Sequence, residues 1–238
     1  MVATALTTMA VAKNPTAILF DFDGVIVDSE SLHHRAYELA LTPFGLSSIP
    51  FDIYADRFSN RGVGLEYCAE QIPGLDVARM KQQKDRWFRQ LLETEARLLT
   101  GVESVLRSLS AERPLAIATG SSREVARSVL ERFGLTTCFQ RVIGREDYRR
   151  DKPAPDAFLC ACAALGEDPA RCLVVEDSNK GLRAACQAGI PCVVVPNAYT
   201  RGGDFALAAA ILTTLEELTP AVAELIHSEG QPFPPSSS

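Results

Sequence analysis

The sequence predicts an α/β protein: a parallel sheet covered by helices, interrupted early by a small α-helical bundle. Three observations carry this. Short apolar runs, Ile18-Leu19-Phe20, Leu115-Ala116-Ile117-Ala118 and Leu173-Val174-Val175, each empty into a polar loop, as buried strands of an open parallel sheet do at the edge where ligands sit. From residue 100 onward such runs alternate with helical patterns. Between residues 29 and 96 helix formers at helical spacing dominate and no β-branched run appears.

A chain of 238 residues holds one large domain with an insertion or two modest domains, and 47% hydrophobic residues suffice to fill a core. A net charge of -6 and a pI near 5.2 argue against nucleic acid or anionic lipid as partner, since both require a basic surface. No apolar run reaches the roughly 18 residues that a membrane crossing needs. Residues 1–14, charged only at Lys13, lack the basic and apolar regions of a secretory signal and read as a disordered leader. The cysteines, Cys68, Cys138, Cys160, Cys162, Cys172, Cys186 and Cys192, include no CxxC pair and have no flanking histidines. They suit a reducing, cytoplasmic setting as small buried hydrophobes. Cys160 and Cys162, two apart on an expected helix, face different ways and do not share one metal.

The first strand ends at Asp21, and Asp23 follows two residues later. Both carboxylates line one site only where the chain leaves the pleat straight after Asp21, which Gly24 permits. Taken alone, the pair equally suits an ordinary strand-end turn. In the bundle, Leu32, Ala36, Leu39 and Ala40 make the stripe of a first helix that stops near residues 43–45; Met80, Lys84, Trp87, Phe88, Leu91 and Leu92 make that of the last. Trp87 and Phe88 read as core rather than as a stacking surface. Residues 57–64 form a polar, glycine-bearing loop that presents Arg61 outward, a solvated surface arginine being the alternative.

Beyond the bundle, the pattern predicts a helix over 103–109, a strand over 115–118 and a helix over 122–133, opened by a capping box of Ser121 and Glu124 and closed at Gly134. The free N–H groups and positive dipole end of that helix would point at whatever Thr119 touches, a seat for phosphate oxygens. Strands over 141–144, 172–175 and 192–195 complete a set of five parallel strands. Residues 206–211 are expected to add an edge strand, 215–226 a closing helix, and the proline- and serine-rich end a disordered tail.

Four polar segments thus follow in order: Asp21-Phe22-Asp23-Gly24, Thr119-Gly120-Ser121-Ser122, Asp151-Lys152-Pro153 and Glu176-Asp177-Ser178. In order and spacing they resemble the haloacid dehalogenase superfamily, in its phosphatase and phosphomutase branch, whose cap is inserted just after the first motif. The likeness runs from about residue 17 to about residue 222. It implies a Rossmann-like core over residues 15–29 and 97–227, a helical cap over 30–96, a leader over 1–14 and a tail over 228–238. The implied function is a Mg²⁺-dependent phosphatase that hydrolyses a small phosphate monoester, a sugar phosphate, through an aspartyl-phosphate. A β-phosphoglucomutase-like mutase is the alternative; a non-catalytic phosphate-sensing protein would be expected to lack Asp21 or Asp23. The expected partner is a small phosphorylated metabolite, with the chain a monomer.

By this resemblance Asp21 is the nucleophile and Asp23 the general acid and then base. Backbone N–H groups of Phe22, Asp23 and Gly24, the Thr119 hydroxyl and the Gly120 N–H would hold the transferring oxygens. Lys152 would bridge Asp21 and phosphate on a loop stiffened by Pro153 and Pro155; without the other motifs it would read as an exposed lysine. Asp21, Asp177 and a phosphate dianion bring about four negative charges, and at an effective dielectric of about 20 each close pair costs about 4 kcal/mol. Lys152 alone does not offset that, so a divalent cation is expected, and an all-oxygen site suits Mg²⁺. The resemblance puts Asp21, the Asp23 carbonyl and Asp177 around the ion, with Glu176 holding one of its waters. In the cap, Arg61 would meet the substrate, although Asn60 stands near where the family has a glycine. His33 falls where the mutases keep a histidine, a helix-surface histidine being the alternative. Where mutases carry a basic-then-amide pair gripping a second phosphate, this chain has Ser122 and Arg123, only a partial match, which favours the phosphatase.

Overall fold

The structure, a computed structural model, describes residues 15–218. Its centre is strand β1 (Ala17–Phe20), buried along its whole length. The side-chain period of a strand explains how four residues organise two cores. Ile18 and Phe20 face one apolar cluster, while Ala17 and Leu19 face another. Strands β2 (Leu115–Ala118), β4 (Cys172–Glu176) and β5 (Cys192–Val194) divide in the same way, so both faces of the sheet are dry. With β3 (Arg141–Ile143) and β6 (Ala210–Ile211) they form one parallel sheet in the order β3-β2-β1-β4-β5-β6. The expected edge strand is thus present but confined to two residues.

Helices α5 (Val102–Ser110) and α6 (Arg123–Arg132) cover one face; α7 (Asp156–Leu165) and α8 (Asn179–Ala188) cover the other. Chain direction leaves β1 toward β2 on one side and β4 on the other, so a crevice opens at their carboxyl ends. Of the expected closing helix, the structure shows a 3₁₀ turn, Leu215–Glu217; the remainder lies outside the described residues, as do the leader and tail.

Between β1 and β2 the chain is helical: α1 (Glu30–Leu41), a short α2 (Phe51–Ile53), α3 (Gly64–Gln71) and α4 (Val77–Glu95). Ala40, Leu41, Ile49, Tyr54, Cys68 and Met80 make a cluster of their own there. The expected loop at 57–64 is largely replaced by a π-helical turn, Tyr54–Asn60, continuous with α2. A hydrogen-bonding interior decides this: Tyr54, Phe58 and Tyr37 pack ring on ring, and Asn60 Nδ2 donates to the carbonyls of Ala55 and Tyr199. The segment enters and leaves through one waist. The Asp28 N–H donates to Arg97 O at 2.9 Å and the Leu99 N–H to Ile26 O at 3.1 Å, around an antiparallel bridge between Val27 and Leu98.

Candidate active site

After Phe20 the chain keeps the register for one more residue, the Asp21 N–H donating to Val175 O at 2.9 Å. It then turns: the N–H groups of Ile26 and Val27 both donate to Phe22 O. Gly24, at φ +79°, carries that turn, and a Cβ there would run into the Asp177 carboxylate, so only glycine serves both the bend and the approach. The turn returns Asp23 to the side of the sheet edge where Asp21 lies.

Lys152 reaches this edge from the β3–α7 loop, its Nζ 3.0 Å from Asp21 Oδ1 and 2.8 Å from Glu176 Oε1. One ammonium faces two carboxylates. Glu176 wins its charge, because Oε2 also accepts from the N–H groups of Asp177 and Ser178 and from Ser178 Oγ, each at 2.9 Å. Burial works against that charge, but Lys152 and these donors hold Glu176 well below the usual carboxylate range. Asp21 is left with a surplus: burial pushes it up despite Lys152, and Glu176 and Asp23 add to the rise. Burial opposes the Lys152 charge too, yet Asp21 and Glu176 raise it above its ordinary value.

Asp23 is held from one side only. Thr119 Oγ1, at 3.1 Å, and Ser121 Oγ, at 2.8 Å, both donate to Oδ2. Its Oδ1 is buried and has no partner among the described residues. Thr119 is itself fixed, its Oγ1 accepting from the Ser121 N–H and its carbonyl accepting from the Tyr148 hydroxyl.

The donor set fits a hard divalent cation. Asp21, Glu176 and Asp177 offer carboxylate oxygens within 4.8 Å of one another, all buried. Burial holds Asp177 well above its ordinary value, with Glu176, Glu30 and Asp21 adding repulsion. Two buried carboxylates that share too little positive charge, and only oxygen as donor, are what Mg²⁺ relieves. Glu176 has both oxygens engaged by protein donors, which suits a part at the rim of such a site rather than as its ligand.

Across a cleft of about 530 Å³ stands a second wall, from the helical segment. On α1, His33 stacks on Phe88 at 3.5 Å and accepts at Nδ1 from Lys84 Nζ, 2.7 Å away. Burial and the Lys84 charge keep that imidazole neutral. Burial also lowers Lys84 to about 8. Ser59 Oγ donates to Glu30 at 3.2 Å.

A family model described as haloacid dehalogenase-like hydrolase matches residues 18–195. The chain belongs to that family. Among its relatives, this hydrolase is 32% identical over 183 residues to a fructose-1-phosphate phosphatase of Escherichia coli strain K12, covering 75% of this chain and 95% of that one. It is 28% identical over 232 residues to a β-phosphoglucomutase of Bacillus subtilis, covering 91% and 96%. The crystal structure of CbbY from Rhodobacter sphaeroides in complex with phosphate superposes with a TM-score of 0.71 at 30% identity, covering 86% of this chain and 96% of that one.

The hydrolase brings together most of the residues that the sequence singles out: Asp21, Asp23, Gly120, Lys152 and Asp177 line the cleft, with Thr119 and Glu176 immediately behind. Phe22 is fully buried as a side chain, while its N–H donates to Asp21 Oδ1 at 2.8 Å. Arg61 and Arg123 stand apart. Arg61 is exposed, 3.5 Å from Asp56, and Arg123 is tied to Asp147 beside α6; neither lines the cleft. The capping box is displaced by one residue: Ser122 caps α6 by accepting from the Val125 N–H, which frees Ser121 to hold Asp23. Sequence reasoning passed over Glu30, Ser121, Lys180 and Asn197, whose Nδ2 donates to Asp177 Oδ2 at 2.7 Å. For Lys84 a signal existed, a cation in the buried stripe of α4.

Proposed function

We propose that this chain is a Mg²⁺-dependent phosphatase that hydrolyses a small phosphate monoester, a sugar phosphate, through an aspartyl-phosphate on Asp21. The observation that carries the reading is the unequal holding of the two aspartates. Asp21 is pinned by Lys152, which draws charge toward the reacting phosphoryl group and keeps one carboxylate oxygen aimed for attack. Asp23 has one oxygen fastened by two hydroxyls and the other unpartnered, so Oδ1 is the atom that hands a proton to the leaving oxygen and later takes one from water. Bound by Asp21, Asp177 and the Asp23 carbonyl, Mg²⁺ would offset the charge of carboxylates and phosphate together. Gly120, Ser121 and Ser122, just before α6, line the same space, and the Gly120 N–H would receive a phosphoryl oxygen there, with Thr119 behind it holding Asp23.

The helical segment, residues 30–96, is the cap in this proposal, and its wall excludes water when it closes. The relative named a fructose-1-phosphate phosphatase supports the substrate class. A phosphomutase needs a grip on a second phosphate, and Arg123, spent on Asp147 outside the cleft, does not supply one.

The test is hydrolysis of a panel of sugar phosphates with Mg²⁺, after chelation, and by Asp21→Asn. Turnover should fall to background in the last two, with the melting transition of the variant kept. Activity that survives both treatments rules the proposal out.

A further inference from the structure

Lys180 has no part in the chemistry above, yet it occupies the cleft. It sits in the first turn of α8, two residues beyond the cap Ser178, and lines the cavity together with Glu30 of the opposite wall. It is exposed to that space, and no hydrogen bond or ion pair of its ammonium is present among the described residues. The two groups are nevertheless each other's chief opposite charge. Burial alone would make Glu30 hard to ionise and Lys180 easy to discharge; Lys180 is the main charge offsetting the first effect, and Glu30 leads Glu176, Asp21 and Asp177 in reversing the second. Ser59 Oγ donates to Glu30 Oε2 and the Tyr54 hydroxyl lies beside the same carboxylate, which still leaves it acceptor capacity.

An acceptor and a donor that line one cleft without bonding each other leave room for a group able to serve both. A methyl or carbonyl cannot do so, and a phosphate would be repelled by Glu30. A hydroxyl donates to the carboxylate and accepts from the ammonium in one stroke. We infer that Lys180 and Glu30 together read a hydroxyl on the non-reacting part of the substrate, which makes Lys180 a specificity-determining residue contributed by the core rather than by the cap. This deepens the phosphatase reading and rests on it. A site built to bond a hydroxyl leaves the half-buried Glu30 without that donor when the hydroxyl is missing, so the two kinds of substrate should be told apart.

The test compares kcat/KM for the best of three hydroxylated esters, fructose 1-phosphate, glucose 6-phosphate and ribose 5-phosphate, with that for acetyl phosphate, which has no hydroxyl. In Lys180→Met and in Glu30→Gln the ratio of the two should fall by at least about tenfold, the double variant should fall no further than either single, and Lys180→Arg should recover part of the ratio. Parallel loss on both substrates, or an unchanged ratio, overturns the inference and leaves the phosphatase standing. So does a wild-type enzyme that hydrolyses acetyl phosphate but none of the three esters. If wild type hydrolyses nothing, the phosphatase reading falls and this inference with it.

Discussion

Lys152 and Lys84 are both buried lysines on the cleft, one on each wall, and the protein treats them oppositely. Lys152 is delivered by a loop onto two strand-end carboxylates that lie on neighbouring, hydrogen-bonded strands, so its charge is strengthened. Lys84 sits in the apolar stripe of a helix, with a neutral histidine at 2.7 Å and Asp85 no closer than 3.6 Å, so its charge is weakened. The difference separates a wall whose lysine already has its counter-charges in contact from one whose lysine has none as close. Chemistry needs the first kind of wall, because preorganised charge is not reorganised during reaction.

Four substitutions break or sharpen this contrast. Lys152→Met should abolish turnover and also destabilise the fold by about 3–5 kcal/mol, since it leaves Asp21 and Glu176 buried together without a cation; denaturant unfolding measures the second effect, and an unshifted midpoint would refute it. Asp23→Asn keeps its acceptor oxygen toward Thr119 and Ser121, so the fold should hold while kcat for an alkyl phosphate drops about 10²–10⁴-fold. For acetyl phosphate, whose leaving group needs no proton, the drop should be much smaller, and equal drops would deny Asp23 the role of acid.

Lys84→Met should do the reverse of its counterpart and stabilise the empty protein, by on the order of 2 kcal/mol near neutral pH. The sign follows from the lowered Lys84 value of about 8 against an ordinary 10.5. Below pH 8 both folded and unfolded chains carry the proton and the full burial penalty applies. Between 8 and 10.5 only the unfolded chain still binds it, so wild-type stability recovers and the two proteins converge. A pH series of unfolding midpoints shows whether the gap closes in that window. The smallest effect is expected of Arg61→Ala, an exposed pairing with Asp56, which should alter both stability and kcat/KM within about 0.5 kcal/mol. A selective loss on a sugar phosphate would bring Arg61 back to the substrate.

What was legible in the sequence followed the same division. The strands were readable because a run buried on both faces, such as Cys172–Glu176, is continuous and apolar and ends where its polar motif begins. The motif residues of the core wall were readable because each follows directly on a strand end. On the helical wall legibility failed at side chains whose role depends on what faces them across space. Arg61 was conspicuous in the chain but lies outside the cleft, whereas Glu30 and Lys180, unremarkable in the chain, both line it. Phe58 and Tyr54 show why a polar stretch was not a loop: their stacking at 4.8 Å rewards a helical turn that composition does not announce. The capping serine was off by one because Ser121 and Ser122 both suit the sequence rule, and only Asp23, distant in sequence, decides between them.

The waist at Asp28, Leu98 and Leu99 has a consequence for recombination. Residues 30 and 96 lie at the two sides of one small antiparallel ribbon, so everything between them is, in chain terms, a long loop with its ends already joined. The cost of closing such a loop grows only slowly with its length. Exchanging the segment for the corresponding insert of another family member should therefore leave the sheet able to fold, provided the insert keeps apolar side chains where Leu32, Ala36, Phe88, Leu91 and Leu92 join the core beneath the sheet. Such an exchange should replace one wall of the cleft as a single contiguous cassette, while Asp21, Lys152 and the acidic cluster of Glu176 and Asp177 stay where they are.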